Sequence, residues 1–137
     1  MDYYYKEFEK LQEEFHETMH HYPIFSEMIQ KIEERDIKEI NDLLDKNDEF
    51  YLKQANSKLK SLIEYIKKTS ESITREYAKF DKLASEWEKI TIVNASEREL
   101  DRINNQVRKS NELIKSHHLK DIEEANKILE TLIKVNR

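Results

Sequence analysis

His16-Glu17-Thr18-Met19-His20 places two histidines four residues apart with a glutamate between them. On a helix this spacing stacks both imidazoles on one face, where they can hold zinc while the glutamate acts as general base. The surroundings argue for a different use. A metalloprotease cleft needs a third ligand, yet no segment has strand periodicity and no glycine serves the loops. Phe8, Leu11, Phe15 and Tyr22, with Met19 beside them, mark the apolar face of this helix, and His16 and His20 fall mostly off it. His16 and His20 stand as the metal candidates of an alternative reading. No catalytic residue and no cofactor is expected.

Two E-x-x-H patterns overlap the same stretch, Glu13 to His16 and Glu17 to His20. Di-iron bundles need such a motif on each of two helices, together with glutamates from two more. The other histidine pair, His117-His118, has Ile114 and Lys115 where those glutamates belong, so the second half is missing. His118 reads as a position on the apolar seam of the last helix.

A further set of residues suits recognition. Tyr3-Tyr4-Tyr5 cannot bury all three rings on one helix face, which leaves Tyr3 and Tyr4 as candidate contacts for a partner. Phe80, Leu83 and Trp87 share one apolar stripe, and tryptophan is enriched at binding hot spots. Lys53, Lys58, Lys60, Lys67 and Lys68 form a basic stretch, but nucleic acid is not expected as a partner because the whole chain is acidic.

These residues must be positioned by helices. The 137 residues carry 24 basic and 29 acidic side chains, no glycine, one proline and no cysteine. Phosphate loops, dinucleotide folds and nucleophile elbows all lean on glycine, and disulfide or Cys-ligated zinc scaffolds need cysteine. No apolar run approaches the roughly 18 residues of a membrane span, and the start of the chain lacks the pattern of a signal peptide. A cytoplasmic, soluble protein with no membrane association is the resulting expectation.

Apolar residues recur at helical spacing throughout. Pro23 ends the first helix near His21-Tyr22. Asp36 to Glu39 and Ser96 to Glu99 read as capping boxes that open new helices. From Leu52 to Ile90 the apolar steps alternate between three and four residues, a 3.5-residue period weakened only at Thr69 and Glu76. Between Ile114 and Ile122 a four-residue insertion at Ser116-His117-His118 marks a kink or break. The predicted fold is all-α, an elongated antiparallel helical bundle or coiled coil of three to four helices with one long central helix. Its helices are expected at about 2–22, 24–34, 36–92 and 97–135, in a single domain 1–137 without an internal repeat. Residues 1–49 have net charge −9 and residues 50–137 net +4, which favours antiparallel pairing inside the chain.

The expected function is a non-catalytic protein–protein interaction module: an adaptor, small chaperone or inhibitor, working as a homo-oligomer or in a hetero-complex. A metal-dependent helical protein using His16 and His20 is the alternative, and a nucleic-acid-associated subunit a weaker one.

Overall fold

The structure, a computed structural model, describes residues 2–137. The protein is an all-α helical bundle. Its helices are α1 (Asp2–His21), α2 (Ser26–Ile29), α3 (Ile37–Asp45), α4 (Glu49–Glu88), α5 (Glu97–Ile114) and α6 (Leu119–Asn136), with a π-helical segment (Gln30–Asp36) joining α2 to α3. The long central helix is α4.

α1 stops where the proline dictates, with the Tyr22 N–H still bonded to the Thr18 carbonyl at 3.0 Å. The expected boundary at residues 34–36 is absent. Asp36 has helical backbone angles and caps nothing; its carboxylate instead accepts from Lys31 Nζ at 2.7 Å. The helix therefore continues into α3 through the π-helical turns.

The expected helix 36–92 is broken at residues 46–48. Lys46 closes α3 by donating to the Leu43 and Leu44 carbonyls, and Asn47 takes a left-handed φ of 50°. Asp48 Oδ1 then accepts from the Phe50 N–H at 3.0 Å and starts α4. Asparagine tolerates positive φ and aspartate caps helices well, so Asn47-Asp48 does the work of a glycine turn. Continuity across Lys67–Ser72 is as expected, but α4 ends at Glu88, short of residue 92.

Ser96 Oγ accepts from the Glu99 N–H at 3.1 Å, the expected cap of α5. The expected helix 97–135 breaks at residues 115–118, where His117 has φ 61° and Ser116 Oγ accepts from the His118 N–H. The insertion thus resolves into a turn rather than a kink. It carries His118 off the seam to an exposed position before α6.

The described chain falls into two compact units, Met1–Glu71 and Ser72–Arg137. In the first, α1 and the leading half of α4 run parallel: Glu7 pairs with Lys60 at 3.0 Å and Glu14 with Lys67 at 3.6 Å, seven residues on in both helices. α3 returns antiparallel through the Asn47 turn, with Glu39 bonded to Lys58. The opposite charges meet across parallel helices as well as antiparallel ones, since the first and third helices of an up-down-up bundle point the same way. Partly exposed pairs of this kind contribute little to stability, because water and salt screen them. Met28, Ile32, Leu62 and Ile66 are fully buried, and Ser70 Oγ donates to the Pro23 carbonyl at 2.7 Å.

In the second unit the trailing half of α4, α5 and α6 repeat the up-down-up order. Lys79 pairs with Glu130 at 2.6 Å, and Ser110 Oγ donates to the Ala125 carbonyl at 3.2 Å. Ile103, Leu129 and Leu132 form a buried cluster.

Candidate partner-binding site

Helix α1 exposes His16 and His20 to solvent, as the phase of its apolar face requires. The His16 ring packs edgewise on Phe15 and the His20 ring on His21. Among the described residues, no group of three or more His, Asp or Glu side chains converges as a metal site. Replacing His16 and His20 together by Ala is expected to change stability by less than about 0.5 kcal/mol, as surface substitutions do. Chemical denaturation of the double variant checks this, and a larger loss would place the pair in a structural or binding role.

The aromatic candidates divide by environment. Tyr3 is 71% exposed. Tyr4 is half-buried: its carbonyl accepts from Asn56 Nδ2 at 3.1 Å, and Lys53 Nζ lies 5.3 Å above its ring. Phe80, Leu83 and Trp87 are half-buried and pack against the Ile103–Leu129–Leu132 cluster of their own unit. Glu76, the weak seam position beside them, accepts from Asn126 Nδ2 through both its carbonyl (3.0 Å) and its carboxylate Oε1 (3.1 Å). A hydrogen bond therefore supports the half-buried carboxylate at this weak position of the seam.

Four of the five lysines of the basic stretch are engaged within the chain. Lys58, Lys60 and Lys67 are bonded to Glu39, Glu7 and Glu14, and Lys53 lies over Tyr4. The hydrogen bond from Lys60 to Glu7 raises the lysine's pKa, and the bond from Lys79 to Glu130 does the same in the second unit.

A feature that periodicity does not disclose lies between α5 and α6. A groove of about 490 Å³ opens there, lined by the apolar Ile103, Ile128 and Leu132 and by the charged Arg102, Lys127 and Glu124. Val135, at its end, is 67% exposed. In the first unit a ring is held between the corresponding elements: the half-buried Tyr65 lies with Lys31 Nζ 4.9 Å from its centroid, and burial raises its phenol pKa. Lys31 is itself held by Asp36. A cation over a ring contributes about 0.5–2 kcal/mol, more as water is excluded. Val135 projects no such ring from α6, and Arg102 stands beside open space.

No helix among the described residues is long and apolar enough to cross a membrane. The chain matches no known family model, no curated protein and no solved structure.

Proposed function

We propose that this chain is a non-catalytic protein-interaction module, an adaptor, small chaperone or inhibitor, that seats an aromatic side chain of a partner helix in the groove between α5 and α6. The observation that supports it is the contrast between the two units. Tyr65 beneath Lys31 is a built-in example of what a cation-lined groove of this fold accommodates, and the α5–α6 groove has the cation without the ring. Ile103, Ile128 and Leu132 supply the apolar lining that an amphipathic helix uses as its anchor. Arg102 supplies the stacking guanidinium, a common partner of aromatic rings at interfaces.

The test uses p-cresol, a tyrosine side chain without its backbone, titrated into the isotope-labelled full chain. Amide shifts should concentrate around Ile103, Ile128 and Val135. They should disappear in Val135→Tyr, which fills the groove from within while leaving the fold intact, because position 135 is exposed. In cells of the native host, a photoreactive amino acid at Thr131, which is exposed on the groove's rim, should crosslink a protein in the wild type but not in Val135→Tyr. Shifts that are absent, scattered, or unchanged by Val135→Tyr would reject the groove as the site.

A further inference from the structure

Ala-Asn-x-x-Leu-x-x-Leu-Ile occurs twice, at Ala55–Ile63 in α4 and Ala125–Ile133 in α6, a shift of 70 residues. The named positions are buried in both copies. Burial by itself would be weak evidence, because 70 is a multiple of seven and any two helices with this period can be aligned to match. The polar contacts are not explained by period.

Asn56 Nδ2 donates to the carbonyl of Tyr4 on the unit's first helix, and Asn126 Nδ2 donates to the carbonyl of Glu76 on its own unit's first helix. Each of these asparagines, buried to 4% and 1% exposure, leaves its Oδ1 without a hydrogen bond. One turn further on, Lys60 pairs with Glu7 and Glu130 with Lys79, the same bridge with its charges exchanged.

The turns agree as well. Asn47 and His117, again 70 apart, each take positive φ between the second and third helices of their units. Each is bonded to a tyrosine hydroxyl of the first helix: Tyr5 to Asn47 Oδ1 at 3.0 Å, Tyr77 to His117 Nδ1 at 2.7 Å. Tyr4, Tyr5 and Glu7 correspond to Glu76, Tyr77 and Lys79 under one constant shift of 72.

In the second helix of each unit the shift changes by one residue. The caps Phe25 and Ser96 and the buried Ile32 and Ile103 differ by 71; the buried Ile40 and Ser110 differ by 70. The first unit therefore holds one extra residue between Ile32 and Ile40, the interval that contains most of the π-helical segment Gln30–Asp36. A π-bulge is how a helix absorbs one inserted residue without losing the register on either side.

We infer that the chain is a tandem duplication of one three-helix unit, in which the third helix of the first copy runs on as the first helix of the second. α4 is that shared helix. The π-helical turns are the scar of a single-residue insertion in the first copy. They also place Asp36 within reach of Lys31, beside Tyr65, so the insertion accompanies the difference between a filled groove and an open one.

Two single-residue deletions in the full chain test the inference. Glu34 is exposed in the π-helical segment, and Asn105 is its exposed counterpart in the regular α5. Deleting Glu34 should restore a plain α-helix with Ile32 and Ile40 seven apart, and leave the melting temperature within about 5 °C of the wild type. Deleting Asn105 should rotate Ile103 out of its cluster and lower the melting temperature by more than about 15 °C, with loss of dispersed amide signals from α5 and α6. Carbon chemical shifts would report α-helical geometry through residues 30–36 of the first variant. Equal damage from both deletions, or greater damage from that of Glu34, would overturn the insertion and the correspondence built on it.

Discussion

Trp87→Ala is expected to lower stability by about 2–4 kcal/mol while leaving the mass of the protein in solution unchanged, the lower end reflecting a ring that is half-buried rather than enclosed. The expectation follows from where the ring lies. Together with Phe80 and Leu83 it covers the buried Ile103, Leu129 and Leu132. Truncation to Ala removes the tryptophan's share of that cover and admits water to leucine and isoleucine side chains that the native packing keeps dry. The rival reading makes Trp87 a contact for another chain, and it predicts a variant that melts like the wild type but associates less. Light scattering beside a denaturant titration separates the two, because one reading moves the midpoint and the other moves the mass. Leu59→Ala, at 5% exposure in the first unit, serves as the reference core truncation, expected to cost about 2–5 kcal/mol.

What the sequence could disclose follows the range of each interaction. Helical periodicity is local, so the all-α class, the stop at Pro23 and the Ser96 cap were legible. The unbroken run of α4 through Thr69 and Glu76 was legible too, since no proline, glycine or asparagine cluster intervenes at Lys67–Ser72. The break at Asn47-Asp48 was written in the sequence but masked by an apolar pattern that continues on both sides. Its signal was a residue tolerant of positive φ followed by a capping aspartate. Asp36 shows the opposite failure: its spacing to Glu39 fits a capping box, but Lys31 claims the carboxylate and the helix continues. The correspondence between the two units is faint in the sequence because four of the five matched core positions are the ordinary apolar residues of any bundle; only the asparagine is informative. The α5–α6 groove was illegible because it depends on which ring is missing at position 135, and that becomes apparent only beside Tyr65.

Asn126 offers the sharpest test of how the second unit holds its helices in register. Asn126→Ala is expected to cost about 2–3 kcal/mol, combining the loss of hydrogen bonds to Glu76 with a cavity in a site that is 1% exposed. Asn126→Leu should behave differently. Leucine fills the same space, and the substitution removes the buried Oδ1 that has no hydrogen bond. The Glu76 carboxylate is only half-buried and can turn to water. A change within about 1 kcal/mol of the wild type, in either direction, is therefore expected for Asn126→Leu. What leucine cannot supply is a direction: an apolar contact tolerates a slide of one helix along another, whereas an amide bonded to one carbonyl does not. Buried asparagines in coiled coils fix register in this way at some cost in stability. Asn126→Leu should accordingly keep its melting midpoint while α6 amides broaden or double in the heteronuclear spectrum. A leucine variant as unstable as the alanine variant would show that the hydrogen bonds themselves hold the unit together, and a leucine variant with a single sharp spectrum would show that register is set by packing alone.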